Sequence, residues 1–302
     1  MKLHDHRAAR PLGSARFTVG ESLVWCEEEA SVFFVDIIGR RIWAWRLAQQ
    51  RFESWPAPEW VTSIGLRAGG GFVVGLEHRV CLWRPGGPFE TLAVPEPDRP
   101  GNRLNEGVVA PDGSFWVGTM QTNLEADGSP RAQDARSGQL YRIAPDGTVT
   151  RLSDDLYGIT NTMAWLPDGR FVTADTVENT LYAYPPGPAG GLGARVPFLA
   201  GFGRGAPDGS AMDAQGHVWN VRVAGGHCVI RIAPEGDVTD LVELPCAWPT
   251  SICFGGEGLS RMFVTSARFT MEAAHLDANP QEGGLFALET GFRGVAPHRF
   301  AG

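Results

Sequence analysis

Six times along this chain a short apolar run follows a turn at nearly the same interval. The runs are VFFVD from Val32, FVVGL from Phe72, FWVGT from Phe115, FVTAD from Phe171, VWNVR from Val218 and MFVTS from Met262, spaced 40, 43, 56, 47 and 44 residues apart. Each is followed by a second run: IWAW at Ile42, CLW at Cys81, LYRI at Leu140, LYAY at Leu181, VIRI at Val229 and LFAL at Leu285. Several have a third partner after another turn, as in RIAPEGDVTDLVEL, and each is preceded by a strand that ends in a turn, as in NTMAWLPDG. Amphipathic helical periodicity is nearly absent. Four short strands per unit, recurring every ~40 to 50 residues, is the pattern of a β-propeller. One four-stranded sheet cannot bury both faces, whereas six packed around an axis can, with Trp and Phe filling the gaps between them. A long β-sandwich or two all-β domains is the competing architecture, but no Pro/Ser-rich linker divides the chain. The expected fold is therefore all-β, a six-bladed β-propeller with four-stranded antiparallel blades around a central channel, forming one domain over residues 1–302. Residues 1–11, MKLHDHRAARP, read as a mobile tail with His4 and His6 facing solvent. Either ARFTVG (15–20) or VAPHRFAG (295–302) is expected to supply the outer strand that closes the ring.

The repeat also locates a site. Stepping back eight residues from the first turn Gly of the unit, Gly113, Gly169 and Gly216, reaches Asn105, Asn161 and Asp208. The equivalent positions elsewhere are Glu21 (aligned on Glu29), Thr62 or Ser63, and Thr250. Innermost strands of a propeller line the channel and all begin at one face, so these positions form a ring. Two carboxylates and two amides converging on one point suit a hard divalent cation. Polar residues that merely cap strands and bind channel water would give the same pattern at any single position. Arg103 lies on the connection entering the third unit and faces the same ring. The loops at 121–137 and 267–283 join second to third strands and are placed to overhang it, as walls, as a lid or as tolerated insertions.

Composition narrows the function classes. The net charge of -8 argues against a nucleic-acid partner. No apolar stretch approaches the ~20 residues that span a bilayer, and the N-terminus has no apolar signal core. A cytoplasmic protein without a membrane partner is expected. The five Cys are odd in number and form no CxxC pair, which speaks against a disulfide framework or a zinc ribbon. GESLV and DGSAM do not match a GxSxG elbow, so a serine esterase is disfavoured.

An ordered set of segments resembles the gluconolactonase and regucalcin (senescence marker protein) family of six-bladed propellers over nearly the whole chain. The set comprises GESLVW at 20–25, FFVDI at 33–37, NRLNEG at 102–107, VGTM at 117–120, PDGSAMDAQGHVW at 207–219 and TSICFGG at 250–256, and it continues to GGLFALETGFRGVAPHRFAG at the end. The resemblance implies one divalent metal held by Glu21, Asn161 and Asp208, drawn from Ca²⁺, Mg²⁺, Mn²⁺, Zn²⁺ or Fe²⁺. It implies substrate binding by Arg103 and Asn105, with an acidic contact near Asn123, for which Glu125 and Asp127 are the nearest acids. The implied reaction is hydrolysis of a sugar lactone to its aldonic acid, the metal polarising the carbonyl and activating water, and Asp208 serving as general base. A metal-dependent phosphotriesterase or other esterase on the same fold, and a non-enzymatic calcium-binding propeller, are the alternatives. The small-molecule sugar lactone is the expected partner, and the protein is expected to be a monomer or a weak homo-oligomer. The chain departs from the family pattern at Thr162, where Gly is frequent, at Glu106, where Asp is usual, and at Asn220 and Arg222, in a strand that is usually more apolar.

Overall fold

Residues 1–4 and 9–302 are described by the computed structural model; the expectations for the His4 side chain and for His6 lie outside what it describes. The strands form six sheets, each built from four consecutive or nearly consecutive antiparallel strands, and the first strands of neighbouring sheets touch around a central axis. This is the six-bladed propeller with four-stranded blades. The innermost strands are Gly20–Cys26, Val61–Leu66, Asn102–Val109, Thr160–Trp165, Ala206–Met212 and Pro249–Gly255. The apolar runs that set the repeat are the second strands, such as Ser31–Asp36 and Phe171–Asp175, buried on both faces because each blade is sandwiched between two others. Aromatic rings fill the seams: Phe33 meets Phe72 at 4.5 Å between blades one and two, and Trp25 stacks on Phe263 at 6.3 Å between blades one and six. All five Cys are buried and unpaired. Among the described residues no helix is long and apolar enough to cross a membrane.

The turns follow from their sequence. In the Pro-Asp-Gly turns of blades three and four, Gly113 and Gly169 take φ of 79° and 87°, which a side chain resists. The Asp before each Gly accepts the backbone N–H two residues on, at Ser114 and Arg170. At the opposite end of the blade a second Asp does comparable work. Asp36 accepts from Thr18 N and Val19 N, and Asp175 accepts from Gly158 N, so a buried carboxylate fixes where the chain enters each of these two inner strands.

Two expectations for the termini are corrected. The closing outer strand is Arg10–Leu12, antiparallel to Leu285–Glu289 with Pro11 opposite Phe286, and not ARFTVG or VAPHRFAG. ARFTVG is unavailable because Phe17 is buried in the seam and Thr18 and Val19 are held by Asp36. Nor does the whole of 1–11 behave as a tail, since Lys2–His4 adds a parallel fifth strand to Val238–Glu243 of blade five. The C-terminal segment instead crosses the far end of the channel. Val295 N donates to Met212 O in blade five, Phe300 N to Leu66 O in blade two, and Ala301 N to Gly113 O in blade three, with Phe300 fully buried. The channel is thus strapped at the turn end, and the ring lies at the opposite face.

Candidate metal centre

Each of the six inner strands carries a break in its pairing register at the ring. The breaks fall between Glu21 and Val24, Val61 and Ser63, Leu104 and Gly107, Asn161 and Met163, Pro207 and Ser210, and Pro249 and Ile252. A bulge re-aims side chains and leaves backbone groups without ladder partners. The breaks fall at Glu21, Asn105, Asn161 and Asp208, each less than one-tenth exposed; the amides of Asn105 and Asn161 bond each other, and the charges of Glu21 and Asp208 act on one another. Ser22 and Thr162, directly after two of these residues, have φ of 53° and 54°, the left-handed region that favours glycine. Two of the ten non-glycine residues with positive φ among the described residues thus sit at the ring, the others lying in turns and loops.

The polar contacts run as a chain across three blades. Arg103 Nη2 donates to Asn123 Oδ1 at 3.1 Å, and its Nη1 donates to Asn105 Oδ1 at 2.8 Å. Asn105 Nδ2 donates to Asn161 Oδ1 at 3.0 Å and to Thr160 O at 2.8 Å. Asn161 Nδ2 donates to Thr176 Oγ1 at 2.8 Å, which in turn donates to Pro207 O at 2.7 Å, beside Asp208. Each amide orientation is dictated by its neighbour: a guanidinium can only donate, so Asn105 must give it Oδ1, which turns its NH₂ toward Asn161. Asn161 accepts that NH₂ at its Oδ1, which leaves its own NH₂ for Thr176. Asp208 Oδ1 is buried with no hydrogen-bond partner, as are Arg103 Nε and Ser63 Oγ.

The electrostatics mark the same centre. Burial raises Asp208 well above the usual carboxylate range, and the charges of Glu21 and Glu106 push it further. Glu21 is raised by burial and then by Glu106, against the Ser22 N–H and Arg103. Burial alone pushes Glu106 up to about 7. Arg103 is lowered by burial to about 10, so it stays charged at neutral pH. Three carboxyl groups that repel one another, one with an orphaned oxygen, form an arrangement that a bound cation would relieve. The donors are all oxygen, and among the described residues no three His, Cys, Asp or Glu gather as a cation site by themselves. The set fits a hard divalent ion that takes amide as well as carboxylate oxygens.

The other anticipated residues divide. Asn123 reaches the Arg103 guanidinium, whereas Glu125 is exposed on the turn closed by Gly128 N and Glu125 O. Thr62 Oγ1 donates to Gly75 O and Thr250 Oγ1 to Gly20 O, so these two ring hydroxyls are spent on backbone. The 121–137 loop arches over the ligand face, with Leu124 buried in the seam of blades one and two and Gln133 donating to Gly158 O of the fourth. Phe269 of the 267–283 loop packs into that same seam. Behind the ring the channel widens into a cavity of about 340 Å³, with Glu106, Trp25, Met163 and Phe254 in its wall. Thr176 was not anticipated, and nothing in TADTVEN distinguishes it from an ordinary loop hydroxyl.

The SMP-30/Gluconolactonase/LRE-like region matches residues 19–268, more than four-fifths of the chain. The chain belongs to this family. The 6-deoxy-6-sulfogluconolactonase of Pseudomonas putida is 34% identical over 94% of this chain and 95% of its own. The L-arabinolactonase of Azospirillum brasilense is 32% identical over 100% of this chain and 98% of its own. Among solved structures, the calcium-binding protein regucalcin from Agrobacterium tumefaciens superposes with a TM-score of 0.89 at 29% identity, covering 99% of both chains. The family match spans the inner strands of all six blades, so every ring position lies within it.

Proposed function

We propose that the protein is a divalent-cation-dependent sugar lactonase that hydrolyses an aldonolactone to the aldonic acid. The observation that carries this reading is the buried, unpartnered Asp208 Oδ1 among three mutually repelling carboxyls, beside an Arg and two amides. Two relatives whose names denote sugar lactonases support the substrate class. Glu21, Asn161 and Asp208 would hold the cation, and Asn105 lies close enough to share it through water. A cation held there supplies Lewis acidity toward the ester carbonyl and makes water more acidic.

The chain's own residues do the rest. Arg103 keeps one free N–H at Nε and presents the oxygens of Asn105 and Asn123 at fixed angles, a constellation suited to sugar hydroxyls. Asp208 Oδ1 takes a proton from the attacking water. The water oxygen bonds to the lactone carbonyl carbon, the ring C–O bond breaks, the released alkoxide oxygen takes the proton held by Asp208, and the carboxylic acid product ionises to solvent. The loop anchored by Leu124 and Gln133 keeps bulk water from one side of the ring.

A pH-indicator assay on a panel of aldonolactones tests this, using metal-stripped protein with each divalent cation restored and spontaneous hydrolysis subtracted. Cation-dependent turnover that is lost in Asp208→Ala is expected. Folded, cation-binding protein with no turnover on the panel would refute the lactonase reading, and phosphotriesters run alongside would show whether the same centre serves another ester.

A further inference from the structure

The bulge that aims Asp208 at the centre leaves its carbonyl, and that of Gly209, outside the ladder. In a buried strand such groups must find other partners. At Asn161 the same problem is solved by one hydroxyl of the second strand, Thr173 Oγ1, which donates to Asn161 O at 3.0 Å. At Asp208 the second strand supplies more. Asn220 Nδ2 lies 3.1 Å from Asp208 O, 3.4 Å from Gly209 O, and 3.1 Å from both Thr162 Oγ1 and Ser210 Oγ. Thr162 Oγ1 itself donates to Asp208 O, from the left-handed residue that follows Asn161. One amide therefore ties the bulges of blades four and five together, immediately behind two of the three proposed ligands.

The orientation of that amide is imposed by Arg222. Its Nη1 donates to Asn220 Oδ1 at 3.1 Å, which leaves only the NH₂ to face the carbonyls. Two of the remaining contacts hold the connection that enters the inner strand, Nε to Arg204 O at 3.1 Å and Nη2 to Gly205 O at 3.0 Å, and Nη2 also donates to Asn179 Oδ1 in the turn before Thr180–Tyr184 of blade four. The guanidinium is fully buried and packs 5.3 Å from the Phe202 ring. Among the described residues no carboxylate lies within ion-pair distance of it. The charge of Asp208 acts on it from beyond that distance; burying a cation with no contact ion pair is still costly, and the general expectation for a mid-strand position between two blades is an apolar side chain. A large cost at this place needs a local return.

We propose that Asn220 and Arg222 are a positioning pair that locks the Asp208 bulge against the Asn161 bulge and so sets the oxygen cage for its cation. Arg222 fixes the amide, the amide fixes the two bulges, and the bulges fix the side chains of Asp208 and Asn161. The inference rests on the cation reading above, and it assigns no contact with substrate to either residue. Residues that hold ligands in place typically carry ~10–100-fold of metal affinity.

The test is calorimetric titration of metal-stripped protein with whichever of Ca²⁺, Mg²⁺, Mn²⁺ and Zn²⁺ binds the parent most tightly. Asn220→Ala and Arg222→Met are compared with Val264→Ala, a fully buried residue at the equivalent position of blade six. The Tm of each metal-free protein is measured in parallel. The expected result is a Kd raised ~10–100-fold in Asn220→Ala and Arg222→Met. Val264→Ala is expected to lower Tm by as much or more and to leave Kd within about twofold, since it leaves a buried cavity but touches no ligand. A Kd in Asn220→Ala or Arg222→Met that stays near the parent value, or a loss of equal size in Val264→Ala, overturns the proposal. Should either principal variant fail to fold, Asn179→Ala, which unseats Arg222 from a half-buried loop position, reads the same Kd with the same two outcomes. A parent that binds none of the four cations refutes the cation reading itself, a result distinct from any difference among variants.

Discussion

Replacing Glu106 by Gln gives a direct measure of what burying that carboxylate costs the cation-free protein. The folded protein holds the Glu106 proton up to a pKa of about 7, against an ordinary value of 4.5 in the unfolded chain. Between these values the folded state keeps a proton that the unfolded state has lost, so stability falls as pH rises. Below about 4.5 both states are protonated and the residue costs nothing; the loss is complete once pH has climbed through 7. The gap, at ~1.36 kcal/mol per unit, amounts to about 3 kcal/mol. A chain of 302 residues has an unfolding entropy of about 0.6 kcal/mol per kelvin at ~2.1 cal/mol/K per residue, so 3 kcal/mol is about 5 °C in Tm. Gln is nearly isosteric with the protonated acid. In scanning calorimetry of metal-stripped protein, Glu106→Gln and parent should therefore melt together at pH 4. The variant should melt about 5 °C higher at pH 8. Adding a binding cation at pH 8 should raise the parent more than the variant, because it neutralises the repulsion that Gln has already removed. A variant no more stable than parent at pH 8 would refute the argument that burial holds the Glu106 proton.

Further outcomes follow from the same contacts. Glu21→Gln should weaken cation binding by at least tenfold in calorimetry, since it removes one of two carboxylate ligands while keeping the shape. Arg103→Met should cost ~10–100-fold in kcat/KM on the best lactone, the worth of one or two charge-assisted hydrogen bonds. It should also lower the metal-free Tm, because the buried acceptors at Leu104 and Asn105 and the half-buried one at Asn123 lose their donor and Glu21 loses a neighbouring positive charge. Gly209→Ala should lower both Tm and cation affinity, because a Cβ there would sit 2.8 Å from Ser251 Cα and Thr250 O, backbone that cannot step aside. Phe300→Ala should cost about 3–5 kcal/mol by calorimetry, as the ring is fully buried between blades two and three and seats the strap across the channel.

The parts of this molecule that were legible in the sequence are those fixed by period. Second strands are apolar on both faces because blades sandwich them, and that gives the repeat its contrast. The eight-residue step back from Gly113, Gly169 and Gly216 lands on the bulged stretch of the inner strand in all three blades, because turn and bulge stand a constant number of residues apart. What was hidden depends on contacts between blades. Nothing in the sequence around Glu21 or Asn161 announces a bulge, since the residues in the left-handed region are Ser22 and Thr162 and not Gly. The path of the 121–137 loop was equally closed to pattern reading, so Asn123 and Glu125 looked alike until Leu124 between them proved to be the anchor, turning one side chain to Arg103 and the other to solvent. The outer edges were misassigned because an edge strand has one neighbour and little pattern: Arg10–Leu12 is three residues long.

The polar residues that looked out of place in apolar strands share one cause. A propeller must turn side chains inward at the mouth of its channel, and a regular strand cannot do so without also turning its neighbours outward. The bulge solves this at the cost of broken ladder bonds and strained φ. Each broken bond then calls for a donor on the strand behind, Thr173 in blade four and Asn220 in blade five. A buried Asn with a free carbonyl oxygen calls in turn for a donor that cannot flip, which Arg222 supplies. From the orphaned Asp208 oxygen outward, each polar residue is thus required by the one before it. The same logic explains why the aliphatic Val264 suffices at the equivalent place in blade six, where Thr250 and Thr265 bond each other and the backbone and no carboxylate has to be aimed.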